Sequence, residues 1–257
     1  MGVKLKKAAL PQTYDTYVFD LYGTLVDIHT DESQAFVWEK LALFYGYYGA
    51  VYEPVELKER YGALVRGREQ ALKSELEAQA RYAHEASPEI EITEVFLALF
   101  AEKGVEADPV LAVHAGQFFR VLSTDYVRAY AGTADMLAEL KAQGKKIYLL
   151  SNAQRIFTEY EMHTIEIARY FDDILISSDF KTRKPDERFF RILLERHKPV
   201  PERTLFVGND LRTDIAGAKR VAFHTYYVNS NISPEGDFAE DADYIVEDFE
   251  GWSRANS

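Results

Sequence analysis

The chain has 257 residues, 47% of them hydrophobic, enough for one large core or for a core with a smaller second domain. Its formal net charge of -12, from 42 acidic against 30 basic residues, repels phosphate backbones and argues against nucleic acid as a partner. A small anion would need a local cationic pocket or a metal. The absence of cysteine removes disulfide and thiolate chemistry and fits a cytoplasmic protein, and no run approaches the roughly 18 apolar residues of a membrane span.

In chain order, the opening MGVKLKKAALPQTYD is basic and lacks an apolar signal-like run. The run Thr16 to Phe19 (TYVF) reads as a strand stopped by Asp20 and the turn-forming Gly23. From about residue 31 to 127, apolar residues recur at helical spacing in 33–49, 54–83, 87–104 and 108–123, with Gly49, Pro54, Pro88, Gly104 and Pro109 as breakers. The aromatic group Phe44, Tyr45, Tyr47, Tyr48 and Tyr52 suits a helix–helix contact better than a pocket wall. After Gly132 the text alternates. Helical patterns at 133–144, 156–171, 186–197 and 214–221 are interleaved with strand patterns at 146–152, 173–178, 204–210, 224–229 and 242–246. Such alternation predicts an α/β fold, a parallel sheet covered on both faces, with its site at the carboxyl ends of the strands near a topological switch.

Four polar groups stand where predicted strands end: Asp20, Ser151 with Asn152, Lys184, and Asn209–Asp210 with Asp214. A carboxylate, a hydroxyl, an ammonium and a further carboxylate pair suit nucleophilic attack on a charged centre. Asp20 can attack, Lys184 can neutralise charge, Ser151 can donate a hydrogen bond, and Asp210 and Asp214 can offer hard oxygens to Mg²⁺. Lys181 competes for the cationic role, but the KPD context points to Lys184. Asp27 is expected to do loop work, Arg66 and Arg68 to lie on a solvated helical face, and the scattered His residues to hold no metal.

At these residues the sequence resembles the haloacid dehalogenase superfamily. FDLYGTLVD at 19–27 resembles its first motif, LLSN at 149–152 its second, RKPDERFF at 183–190 its third and FVGNDLRTDIAGA at 206–218 its fourth. The resemblance implies a Rossmann-like, three-layer core over residues 14–28 and 130–250. It also implies an inserted all-helical cap of the C1 type over 29–129, hinged near 28–31 and 127–132, with loose termini at 1–13 and 251–257. It further implies Asp20 as nucleophile, Thr24 ordering its loop, Ser151 and Asn152 contacting substrate, Lys184 as the cation, and Mg²⁺ held by Asp20, the carbonyl of Tyr22, Asp210 and Asp214.

Two departures matter: Tyr22 in the first motif, and Asn209 in the fourth, where the first Asp commonly stands and Asp210 is the alternative ligand. Phosphatases of this superfamily usually carry a second Asp two positions after the nucleophile, as acid and base; here that catalytic position is Tyr22, whose phenol, with an ordinary pKa near ~10, is a poor base at neutral pH. Tyr is what 2-haloacid dehalogenases show there, and a halide leaves without a proton. Yet the acidic fourth motif suits a metal phosphatase, and residues 28–59 contain no Arg to serve as the dehalogenases' halide ligand. The expectation is therefore a Mg²⁺-dependent phosphatase of a small anionic metabolite, acting as monomer or homodimer through an aspartyl-phosphate on Asp20. The rivals are a 2-haloacid dehalogenase and a catalytically weak ligand-binding relative.

Overall fold

The computed structural model describes residues 14–234 and 242–246. The expected loose termini lie outside the described residues. Six parallel strands form one sheet: β1 (Thr16–Phe19), β4 (Lys146–Ser151), β5 (Asp173–Ile176), β6 (Thr204–Gly208), β7 (His224–Val228) and β8 (Tyr244–Val246). Their spatial order is β5-β4-β1-β6-β7-β8, so the chain builds outward from β1 on one side and then returns to build on the other. That reversal opens the crevice where such sheets bind ligands. Phe19 pairs with both Leu149 and Val207, which brings Asp20, Ser151 and Asn209 to the same edge.

The strands are buried on both faces, as the apolar runs predict. Alternate residues separate cleanly. Tyr17, Phe19, Ile147, Leu149, Leu205 and Val207 pack with Met136, Leu137 and Leu140 of α5 (Thr133–Ala142) and Met162 of α6 (Arg155–Thr164). Val18, Tyr148, Leu150 and Phe206 face the other way, onto Phe189, Phe190 and Leu193 of α7 (Glu187–His197) and Ala218 of α8 (Ala216–Arg220). The result is a three-layer α/β fold.

The helices α1 (Ala35–Tyr47), α2 (Pro54–Glu77), α3 (Thr93–Glu102) and α4 (Pro109–Ser123) have a core of their own, centred on Trp38, Tyr45, Phe96, Phe100 and Phe119. Their starts are fixed locally. Asp108 accepts from the Leu111 amide at 2.7 Å ahead of Pro109, and Glu53 forms a reciprocal capping box with Glu56 ahead of Pro54. Tyr45 and Tyr52 donate to the carbonyls of Phe96 and Leu99 at 2.9 and 2.6 Å, so these rings bind helix to helix; Tyr47 stands exposed.

Three features differ from the sequence expectation. The segments expected as hinges lie partly in strands: β2 (Val26–Thr30) and β3 (Thr124–Ala129) form an antiparallel ribbon pairing Val26 with Ala129 and Ile28 with Val127. The helix expected over 54–83 ends at Glu77, and a 3₁₀ turn follows at Ala80–Glu85. Both sides of that turn bind the sheet domain: before it Arg188 Nη1 donates to the Leu76 carbonyl of α2 at 2.9 Å, and beyond it the Arg183 amide donates to the Ser87 carbonyl at 3.0 Å and the Ser87 amide to Asp186 Oδ2 at 3.2 Å.

Candidate active site

The loop after β1 carries Asp20, which is buried, and turns at Gly23 with φ +82°. A side chain at Gly23 would meet Asn209, since an added Cβ would lie 2.1 Å from Asn209 Nδ2. Glycine therefore serves both the left-handed backbone and the close approach of the two loops.

Lys184, 2% exposed, reaches Asp20 Oδ1 at 2.6 Å and Asp214 Oδ1 at 2.7 Å. Among the described residues this ammonium is the one group set against Asp214 Oδ1. Asp214 Oδ2 accepts the amides of Asn209 and Asp210 at 3.1 and 3.2 Å. Burial, then the nearby charges of Asp20 and Asp210, push the Asp214 carboxyl upward against the pull of Lys184. For Lys184, burial works against the charged form, but the two carboxylates outweigh it and hold the ammonium above its ordinary value. Thr24 Oγ1 lies 3.3 Å from Asp20 Oδ2 and 3.4 Å from Asn209 Oδ1, linking the first and fourth motifs.

The other expected site residues divide. Ser151 is buried at the end of β4, and its hydroxyl has no partner among the described residues. Asn152 uses its amide on Lys184 instead of pointing to an open site: Nδ2 donates to the Lys184 carbonyl at 3.0 Å and Oδ1 accepts the Lys184 amide at 2.8 Å. Asp210 Oδ1 caps the following turn, accepting the amides of Arg212 and Thr213 at 2.7 and 3.0 Å. Asn209 thus comes nearer than Asp210 to the Asp20 loop. Lys181 is exposed.

Tyr22 turns into a second cluster. Its hydroxyl donates to Glu161 Oε2 and lies 3.0 Å from Thr158 Oγ1, while Arg120 Nε donates to Glu161 Oε1 at 2.6 Å. Burial first, and the Glu161 charge second, raise the phenol well above its ordinary range. Nothing in the sequence flagged Arg120, Thr158 or Glu161, which read as ordinary positions on amphipathic helices.

No group of three or more Asp, Glu or His side chains among the described residues is placed to enclose a metal. Mg²⁺ does not need one, since it takes one or two carboxylates and keeps several waters. Asp20 and Asp214 set two buried carboxyl groups against the single Lys184 ammonium, and the upward push on Asp214 is the cost of crowding their charge together. That oxygen-rich cluster fits a hard divalent cation.

The chain belongs to the haloacid dehalogenase-like hydrolases, whose family profile matches residues 14–222. It is 30% identical over 107 residues to a glyceraldehyde 3-phosphate phosphatase of Methanothermobacter thermautotrophicus, a match covering 42% of this chain and 47% of the relative. Another 30% match, over 231 residues, is to phosphoglycolate phosphatase 1 of Pseudomonas aeruginosa and covers 90% of this chain and 75% of that one. The (S)-2-haloacid dehalogenase 4A of Burkholderia cepacia is also 30% identical, over 112 residues, covering 43% of this chain and 48% of the dehalogenase. The chain thus spans about half the length of several curated relatives it matches. A solved phosphatase of Thermococcus onnurineus shares the fold with a TM-score of 0.56 at 18% identity, over 95% of this chain and 98% of that one. No helix among the described residues is long and apolar enough to cross a membrane.

Proposed function

We propose that the protein is a phosphoric monoester hydrolase for a small anionic metabolite, with Asp20 as nucleophile and residues 29–129 as a cap over the site. The observation that carries this reading is the buried Asp20–Lys184–Asp214 cluster at the switch point of the sheet, together with a Ser151 hydroxyl that has no hydrogen-bond partner among the described residues. Two carboxyl groups against one ammonium suit a metal-assisted phosphate site; a carbon–halogen bond has no need of the second. The names of the phosphatase relatives point the same way.

Lys184 occupies Asp20 Oδ1, which leaves Oδ2 the freer oxygen for attack. Oδ2 forms a bond to phosphorus as the ester P–O bond breaks, and the departing oxygen takes up a proton from solvent water. Water then attacks the aspartyl-phosphate, releasing phosphate and restoring the carboxylate. Ser151 donates to a phosphoryl oxygen, and Asn152 holds the Lys184 backbone so that its ammonium stays against Asp20. Asp20, the Tyr22 carbonyl, Asp214 and the Asn209–Asp210 pair would hold Mg²⁺, which when bound neutralises charge on the phosphoryl oxygens.

One observation favours dehalogenation as a second reading: Tyr22 is turned onto Glu161, and a halide needs no proton to leave. A panel of phosphorylated metabolites and 2-haloacids, assayed with Mg²⁺ and with EDTA, separates the two. The phosphatase reading expects phosphate release that EDTA stops. Metal-independent halide release without phosphate release would replace it.

A further inference from the structure

Glu89 is a buried carboxylate that the proposed chemistry does not use. It comes from the connector between α2 and α3, yet its side chain is spent entirely on the sheet domain. Oε2 accepts from Ser177 Oγ at 2.9 Å and Oε1 accepts from Gln154 Nε2 at 2.9 Å, with Arg183 Nη1 a further 3.9 Å from Oε2. Ser177 follows β5 and Gln154 follows β4, so one carboxylate bridges two strand ends. The bridge continues on both sides. Ser177 Oγ accepts the Ala153 amide at 2.9 Å, and Gln154 is itself gripped by the connector, its Oε1 accepting the Ile92 amide and its Nε2 donating to the Ile90 carbonyl, both at 2.9 Å.

The loop held in this way is the one that matters. Ala153 and Gln154 directly follow Ser151 and Asn152, the unpartnered hydroxyl and the amide that clamps both backbone groups of Lys184. A buried carboxylate is costly unless several donors meet it. A connector needing only to pack would do as well with an apolar side chain. We infer that Glu89 is a positioning residue, supplied by the helical insert, that sets the Ser151–Gln154 loop and through Asn152 the placement of Lys184. This rests on the proposed site in one respect: turnover is one of its two readouts. A displacement of about 1 Å at a reacting group can cost ~10²-fold in rate, so a clip two residues from Ser151 has leverage. It also means that the insert cannot swing about the β2–β3 ribbon alone without first releasing this clip.

The test measures amide hydrogen exchange without substrate, and steady-state hydrolysis of p-nitrophenyl phosphate with Mg²⁺, on full-length wild type, Glu89→Ala, Glu89→Gln and Ser177→Ala. In Glu89→Ala the amide of Ala153 and that of Arg155, which donates to Ser178 Oγ at 3.0 Å, should exchange roughly 10-fold faster or more while those of β6 hold their protection. Its kcat should fall about 10-fold or more with KM changed less than about 3-fold. Glu89→Gln should recover most of both, because its carboxamide can still accept from Gln154 and donate to Ser177 Oγ. Wild-type exchange at 153–155 in Glu89→Ala overturns the inference, as does a rise spread equally over β6. If Glu89→Ala does not fold, Ser177→Ala is read at the Arg155 amide alone, because it removes the acceptor of the Ala153 amide itself, and wild-type exchange there overturns the inference; if neither folds, these groups hold the fold and not the loop, and the inference is lost. Exchange is independent of turnover, so a protein inactive on every phosphate would defeat the phosphatase reading while leaving this one to be decided by its amides.

Discussion

Two buried charge clusters grow from the same short loop, and they are finished to different degrees. Around Asp20 a single ammonium serves two carboxyl groups, and among the described residues Asp214 Oδ1 has only that ammonium set against it while the Ser151 hydroxyl has no hydrogen-bond partner. Around Tyr22, two positions on, the accounts close: the phenol meets Glu161 and Thr158, and both Glu161 oxygens accept from Arg120, at 2.6 and 3.3 Å. Buried polar groups are ordinarily satisfied, so an unsatisfied set marks a place where something else is meant to bind. By that criterion the loop has one working end and one structural end. Tyr22 then belongs to the framework, although its place in the motif is where an acid–base carboxylate usually stands.

The comparison breaks first at Asp20. Asp20→Asn keeps the shape of the side chain but removes the proposed nucleophile, and phosphate release should fall by roughly 10³-fold or more with circular dichroism unchanged. Substantial residual activity would move the working end elsewhere. Next comes Lys184→Met, which leaves Asp20 and Asp214 buried together without their cation. Removing one member of a buried pair costs about 3–5 kcal/mol, so urea unfolding should show a loss of that order together with lost turnover. A variant as stable as wild type would mean that solvent already compensates these charges.

Tyr22→Asp sharpens the contrast by placing a carboxylate at the structural end. If phosphate chemistry is limited by proton delivery to the leaving oxygen, ordinary sugar phosphates should gain about 10-fold in kcat/KM, and acyl or aryl phosphates, which need little protonation, should gain less. For a dehalogenase the same change sets a negative charge beside the nucleophile and should slow halide release. A Tyr22→Asp protein that loses halide release and gains no phosphatase activity would sink the phosphatase reading.

How much of this was legible follows from the range of each interaction. TYVF, KIYLLS and TLFVG are short apolar runs whose burial on both faces needs no partner to be inferred, and the polar residues that stop them are Asp20, Ser151 and Asn209. Legibility failed where the cause is non-local. The segments VDIHT and TDYVRA are short and mixed, and they pair only because the insert brings the far ends of a long excursion together; the Arg128–Asp27 ion pair at 2.8 Å that pins them has no local signature. Helical spacing ran on through residue 83, whereas the chain leaves the helix after Glu77, where Arg188 takes the Leu76 carbonyl. The same holds for Tyr22. Its letter was readable as a departure from the motif, but its partners sit on α4 and α6, and only packing such as the Gly116–Ile156 contact brings those helices to it.

The smallest expected effect is also the most direct test of the structural end. Tyr22→Phe deletes one hydroxyl and leaves the ring in place. Glu161 loses a donor but keeps both of its Arg120 contacts, so the stability loss at neutral pH should be about 1–2 kcal/mol, read as a lowered melting temperature. The pH dependence has a definite sign. Burial and the Glu161 charge raise the phenol in the folded state, so the folded protein retains this proton at pH values where the unfolded chain, near ~10, releases it. The hydroxyl's contribution is therefore whole below that value and declines as pH rises above it, and the gap between wild type and Tyr22→Phe should narrow in strong alkali. Turnover should change less than about 5-fold, and the pH–rate profile between 6 and 9 should keep its shape, because a phenol locked in its protonated form has no titration there to contribute. A loss of 10²-fold or more, or a profile missing one limb, would show that Tyr22 leaves Glu161 during the reaction to serve as the acid, and the division of the loop into two ends would fail.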